Sequence, residues 1–253
     1  MGKKILNFIT LLLLNIQFYI LFLLCTFICI PIFAIIVAVQ ALFLSHSNTM
    51  KRFRRAIKWY GAIIIKVLPF PFVRIIYEDI DHDKNIVPCI YICNHRSTSD
   101  PFLMAVLPLD LIQIVNKWPF RIPILGIFAK LSGYLSVNEM SFKSFSGRVS
   151  TLLAQGISIA AFPEGTRSGG KNMGQFHGAL FRIALQTRHP IVPVCITGNE
   201  RIPLKGSLLI RSGRIRIHKL KALEWDDYKK FTPFKLKNLV RNILAEEMIR
   251  MKE

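Results

Sequence analysis

Residues 86–100 read Ile-Val-Pro-Cys-Ile-Tyr-Ile-Cys-Asn-His-Arg-Ser-Thr-Ser-Asp. An apolar run of strand length, Ile86–Cys93, stops at a polar cluster that ends in Asp100, directly before Pro101. Proline suits the first turn of a helix, so the stretch reads as strand, loop, helix. The same alternation recurs on either side. Leu111–Val115, Ile157–Phe162 and Ile191–Thr197 read as strands, with helices over Pro101–Leu107, Phe120–Leu131, Phe142–Gln155 and Gly178–Thr187. Arg214–Leu220 alternates polar and apolar as a half-exposed strand, and Ser207–Ile210 is its expected partner across Ser212-Gly213. Thr232 before Pro233 is an N-cap with proline at N1, opening a last helix with Leu236, Val240, Ile243 and Leu244 inward. Strands alternating with helices predict an α/β fold, one mixed β-sheet surrounded by helices.

Polar residues gather where strands end. His95 and Asp100 lie across a turn that lets a carboxylate fold back onto one imidazole nitrogen, which makes His95 a candidate general base; the same pair can serve a purely structural role. Strand Ile157–Phe162 runs into Pro163-Glu164-Gly165-Thr166-Arg167-Ser168-Gly169-Gly170, a glycine-bearing loop. Backbone N–H groups and a guanidinium can there meet a phosphate, though such loops are often plain turns. A Gly-x-Ser-x-Gly nucleophile elbow is absent, so Ser97 and Ser99 are not activated nucleophiles.

Asn94-His95-x4-Asp100, followed by Phe162-Pro163-Glu164-Gly165-Thr166-Arg167-Ser168, resembles the glycerolipid acyltransferases, the 1-acyl-sn-glycerol-3-phosphate acyltransferase family. Two further blocks support the resemblance in order. One is Lys117-Trp118-Pro119-Phe120-Arg121-Ile122-Pro123-Ile124-Leu125-Gly126, leading to Gly133-Tyr134-Leu135-Ser136-Val137. The other is Ile191-Val192-Pro193-Val194 before Gly198. The resemblance implies a glycerol-3-phosphate acyltransferase-like sheet wrapped by helices, with acyl-CoA or acyl-carrier protein as donor; the sequence has no metal or cofactor motif and the thioester already supplies the driving force, so no metal or other cofactor is expected. It implies that His95 deprotonates the acceptor hydroxyl and Asp100 orients it. Glu164, Gly165, Thr166 and Arg167 would bind the acceptor phosphate, with Lys117 a second cation, although Lys117 and Arg121 also read as surface charge. The expected acceptor is 1-acyl-sn-glycerol 3-phosphate, giving phosphatidic acid. Asn138-Glu139 stands where family members often carry Asp-Arg, which leaves room for another lysolipid such as a lyso-aminolipid. The rival of another class is a non-catalytic basic protein that binds membrane surfaces.

Composition fixes the setting. Of 253 residues 52% are hydrophobic, and 34 Lys+Arg face 15 Asp+Glu, a net charge of +19. A mean hydropathy of +0.39 excludes intrinsic disorder. Five cysteines are too few for a disulfide scaffold of this length and fit a reducing compartment. The charge admits nucleic acid or an anionic membrane surface. No nucleic-acid motif accompanies it, whereas Ile5 to Leu44 carry no charged side chain, so the membrane is the expected partner. As a helix that run would extend about 60 Å, twice a hydrocarbon core of about 30 Å. Two embedded segments bending near Pro31, or one span with an interfacial extension, are expected. Basic flanks at Lys3-Lys4 and Lys51–Arg55 place both ends, and the enzyme, at the cytoplasmic face. Lys51, Arg54, Arg55 and Lys58 share one helical face, and Phe53, Ile57, Tyr60 and Ile64 another, as in an interfacial helix over anionic lipid or one packed against the domain. The expected division is 1–67 for membrane-embedded and interfacial helices and 68–253 for the acyltransferase domain.

Overall fold

The computed structural model describes residues 2–81, 88–107, 111–121, 125–136, 140–168, 172–203 and 206–251. Its described residues form a seven-stranded sheet in the order β1-β7-β6-β2-β5-β3-β4. The strands are β1 (Val73–Asp79), β2 (Ile90–Cys93), β3 (Leu111–Val115), β4 (Leu135–Ser136), β5 (Ser158–Ala161), β6 (Ile191–Thr197) and β7 (Gly213–Lys219). β2 pairs in parallel with β5 and β6, as β3 does with β4 and β5, while β6 and β7 run antiparallel. The sheet is therefore mixed, as expected. Every residue of β2, β5 and β6 is buried, the continuous apolar reading of a strand covered on both faces.

The chain divides into two compact units. One comprises Tyr77–Arg96, Pro108–Thr197 and Arg216–Glu253; the other comprises Met1–Ile76, Ser97–Leu107 and Gly198–Ile215. The first holds the main core. Ile90, Ile92, Ile112 and Ile159 of the sheet join Phe145, Val149 and Leu153 of α5 (Phe142–Ala154), Phe181 and Ile183 of α6 (Ala179–Thr187), and Leu236, Val240 and Leu244 of α8 (Pro233–Arg250). α5 starts where the Ser141 side chain accepts the Ser144 N–H, and α8 where Thr232 accepts from Lys235 N–H, each satisfying an orphan donor of the first turn. Leu236, Val240 and Leu244 face inward as expected, with Ile243 partly buried. Short helices α4 (Leu125–Leu131) and α7 (Trp225–Tyr228) complete this unit.

The second unit is built on α1 (Gly2–Ala41) and α2 (His46–Ala62), with a π-helical turn over Ile63–Val67 and the one-turn α3 (Asp100–Leu103). α1 is one continuous helix with Pro31 inside it, so the expected division into two bent segments is corrected. An interior proline costs about 3 kcal/mol in water. In an apolar surrounding, breaking the helix would orphan several more backbone groups, so continuing through the proline is the cheaper solution. Lys3-Lys4 thus belong to the first turn of α1, and Lys51–Arg55 to α2 beyond its other end.

α2 runs back along α1. Tyr60 Oη and Thr26 Oγ1 lie 2.7 Å apart, and Gln17 Nε2 donates to the carbonyls of Leu68 and Phe70 at 3.1 and 2.7 Å. Phe53 and Tyr60 are buried. The aromatic face of α2 therefore packs within the unit, the second of the two arrangements expected for that helix. The expected hairpin of Ser207–Ile210 with β7 is also absent among the described residues. Asn15 instead holds Ile210 by two bonds, Nδ2 to the carbonyl at 2.8 Å and Oδ1 from the N–H at 2.9 Å. With the backbone of Ile210 satisfied by a helix side chain, the segment needs no strand partner. β7 pairs with β6 and β1 instead, and β1, Val-Arg-Ile-Ile-Tyr-Glu-Asp, carried no clear period in the sequence.

Candidate functional site

Within the first unit, β2 and β5 are adjacent parallel strands and deliver their following loops to the same sheet end. Ligands gather at such carboxyl ends in open α/β sheets. The β2 loop carries Asn94 and His95. Asn94 is buried, donates through Nδ2 to the Ile196 carbonyl at 2.8 Å and accepts the Ile196 N–H through Oδ1 at 2.7 Å. Asn94 thereby extends the β2–β6 ladder by one side chain and fixes where the loop leaves the sheet.

His95 is held through its main chain. Its N–H donates to Glu164 Oε1 at 2.7 Å, and its carbonyl accepts from Ser168 N–H at 2.9 Å and Ser168 Oγ at 3.1 Å. The imidazole is left half-buried, with its ring 4.8 Å from the Phe162 ring at a tilt of 34°. A histidine whose backbone is clamped on both sides presents its ring in a narrow range of positions, as a general base requires.

Glu164 is the organiser of this loop pair. Its side chain is buried, with Oε1 on His95 N–H and Oε2 accepting Gly174 N–H at 2.8 Å. Each oxygen has a backbone donor, so the carboxylate ties three segments together, a geometry suited to positioning the loops and not to meeting a phosphate of like charge. Gly165 adopts φ +66°, and a Cβ there would stand 2.9 Å from His177 Nε2. The turn thus needs glycine both for its backbone and for the imidazole lying against it. Thr166 is exposed and Arg167 half-buried on the same turn. Lys117 is exposed one residue beyond Asn116, whose Oδ1 accepts the Lys117 N–H at 2.7 Å, and Arg121 is exposed at the end of the 3₁₀ turn Trp118–Arg121. Asn138-Glu139 lies outside the described residues.

His177 was not singled out in the sequence. Its N–H donates to the Pro163 carbonyl at 2.8 Å, which places an exposed imidazole on the 163–168 turn. A lone histidine ahead of a helix gives no local signal of that contact. Arg96 is another surprise. It is almost fully buried, with Nη1 against Met248 Sδ of α8. Burial pushes the thiols of Cys89 and Cys195 up to about 11 and about 12, with a Ser158 hydrogen bond working the other way at Cys89. Both are packing residues at neutral pH.

In the second unit, Asp100 is buried at the start of α3. Oδ2 accepts the Ser97 N–H at 2.9 Å, and Oδ1 accepts from Asn199 Nδ2. Ser97 Oγ in turn donates to the Ile202 and Pro203 carbonyls at 3.0 and 3.1 Å. Asp100 is therefore anchored by a residue 99 positions away, and Asn199 is a member of the acidic residue's support that sequence reading missed.

A family model described as acyltransferase matches residues 74–197. A 1-acyl-sn-glycerol-3-phosphate acyltransferase of Limnanthes alba is 28% identical over 200 residues, covering 68% of this chain and 70% of that protein. A lyso-ornithine lipid O-acyltransferase of Pseudomonas aeruginosa is 31% identical over 149 residues, covering 57% and 54%. The crystal structure of the 1-acyl-sn-glycerophosphate acyltransferase PlsC from Thermotoga maritima shares the fold, with a TM-score of 0.78 at 19% identity over 99% of this chain and 98% of that one. α1 holds an apolar stretch, Ile5–Ala41, long enough to cross a membrane, and together with the lipid-acylating relatives this makes the protein membrane-associated.

Proposed function

The chain belongs to the glycerolipid acyltransferase family and is an O-acyltransferase; from that premise we propose that it acylates the free hydroxyl of 1-acyl-sn-glycerol 3-phosphate to give phosphatidic acid. The observation that carries the reading is the clamped main chain of His95 beside the Gly165 turn that bears Arg167. His95 takes the proton of the acceptor hydroxyl, and that oxygen attacks the carbonyl carbon of the acyl thioester. The tetrahedral intermediate collapses with loss of the thiolate, which takes the proton back from His95. Asp100, five residues on, keeps the imidazole in its productive tautomer and stabilises the imidazolium. No acyl-enzyme forms.

Acceptor recognition falls to Arg167, with the backbone of Gly165 and Thr166 and with Lys117. Glu164 serves by holding the His95 and Gly165 loops. The donor is acyl-CoA or acyl-carrier protein, with no metal or other cofactor. The chemistry sits at the cytoplasmic face of the membrane, where such donors are supplied, with the embedded part ending near residue 67 and the acyltransferase part spanning 68–253. An amine-bearing lysolipid is a second reading, favoured by the lyso-ornithine lipid relative.

The test is a product assay with both donors against a panel of lysolipids, run on wild type and Arg167→Lys. Lysine cannot reproduce the bidentate guanidinium–phosphate pair. Arg167→Lys should raise the acceptor KM by about 1.5–3 kcal/mol, far more than the donor KM. Acceptors without a terminal phosphate should be affected less. Equal losses across the panel would make Arg167 structural, and preference for an amine-bearing lysolipid would favour the second reading.

A further inference from the structure

The first 77 residues contain nine lysines and arginines and no carboxylate, the first being Glu78. The hairpin helices therefore carry no carboxylate of their own. Where α2 passes the C-terminal half of α1, an open groove of about 320 Å³ lies between them. Its α1 wall is Phe33, Ile36, Val37 and Gln40, spaced i, i+3, i+4, i+7 on one helical face. Its α2 wall is Arg52, Arg55, Ala56 and Trp59, at the same spacing. One wall is apolar and ends in an amide. The other carries two exposed guanidiniums one turn apart, then a gap at Ala56, then an indole exposed over 68% of its surface.

We infer that this groove is a discrete site for one anionic phospholipid of the bilayer, its phosphate on Arg52 and Arg55 and an acyl chain along Ile36, Phe33 and Trp59. Charge complementarity chooses the occupant. Two guanidiniums with no carboxylate in the lining call for an anion, and guanidinium holds phosphate oxygens by paired charge-assisted hydrogen bonds. The apolar wall continues into the exposed side chains of α1, among them Ile32, Ile35 and Val39, so the anion must bring a hydrocarbon tail. Trp59 has the amphipathic ring that settles at the level of lipid headgroups. The site lies wholly within the α1–α2 unit and does not rest on the catalytic reading. It differs from diffuse attraction of a basic helix to a charged surface, because it depends on which cations are removed and not on how many.

The experiment uses the full chain in phosphatidylcholine nanodiscs containing increasing phosphatidylglycerol. Tryptophan fluorescence is recorded, with Trp59→Phe subtracted to isolate Trp59 from the other two tryptophans. The site predicts a saturable Trp59 response to phosphatidylglycerol. Arg52→Gln/Arg55→Gln should weaken the half-saturation by about tenfold or more, the loss expected for charge-assisted hydrogen bonds. Lys51→Gln/Lys66→Gln removes the same charge from exposed positions outside the groove and should leave the half-saturation within about twofold. Equal weakening by both pairs, or an equal response in pure phosphatidylcholine, would overturn the proposal in favour of surface electrostatics or plain burial. An equal response to inorganic phosphate would make the groove a solvent-anion site. A response that scales with protein concentration would give it to a second copy of the chain. Because the readout is Trp59 and not turnover, none of these outcomes bears on acyl transfer.

Discussion

The loop pair around His95 and the hairpin of α1 with α2 handle polar groups in opposite ways. Around His95 a carboxylate is buried, and each of its oxygens is matched to a backbone N–H, so charge serves as a fastener. In the hairpin there is no carboxylate: Lys51, Arg52, Arg55 and Lys66 are exposed, and the fixed bonds are made by neutral side chains, Asn15 from a buried position and Gln17 and Thr26 from half-buried ones. The contrast follows from surroundings. A buried ion is stable only when its hydrogen-bonding capacity is filled, which a sheet end rich in loop N–H groups can supply. A helix for an apolar medium has spent its backbone groups internally and has none to offer. Angular precision is thus built where chemistry happens, and apolar area where attachment happens.

The largest expected effect separates the regions outright. His95→Ala should cost about 10²–10⁴-fold in kcat/KM, the usual worth of a general base, with the circular dichroism spectrum unchanged. Near-normal turnover by the folded variant would remove His95 from the mechanism and reduce the loop pair to architecture.

The second sharpens the role of the buried carboxylate. Glu164→Gln keeps the shape but turns one acceptor into an NH₂ facing a backbone N–H. The expected loss is about 1–3 kcal/mol, shared between thermal stability and kcat. Acceptor KM should change little, because the role assigned to Glu164 is to hold loops. A rise in acceptor KM with kcat intact would instead put Glu164 in contact with substrate.

The smallest effect belongs to the hairpin. Asn15→Ala removes both hydrogen bonds to Ile210 and should lower stability by about 1–2 kcal/mol, read as a shift in Tm of the detergent-solubilised chain. No change would show that apolar contact alone holds the 207–211 segment to α1.

Much of this was legible because it is local. The strands Leu111–Val115 and Ile191–Thr197 match the structure residue for residue, since a buried parallel strand is a bare apolar run between polar ends. The Thr232-Pro233 start of α8 is equally local. What escaped the sequence was non-local. Asn199 reaches Asp100 across 99 positions and Asn15 reaches Ile210 across 195, and neither asparagine differs in sequence from one facing solvent. Glu164 was named for the acceptor phosphate by resemblance, and its bonds to backbone N–H groups on two other segments lay beyond what the motif shows. Pro31 read as a bend because helix rules learned in water overstate its effect in an apolar setting. β1 was missed because Arg74, Glu78 and Asp79 blur its period.

The central claim is direct transfer from thioester to lysolipid hydroxyl, and a single-turnover measurement tests it most directly. The full chain in nanodiscs is mixed with donor carrying a labelled acyl group, first without acceptor and then with 1-acyl-sn-glycerol 3-phosphate. The account predicts that the protein stays unlabelled after denaturation in the first stage and that phosphatidic acid takes the label in the second. Label held covalently by the protein, or no labelled phosphatidic acid once acceptor is present, would contradict it.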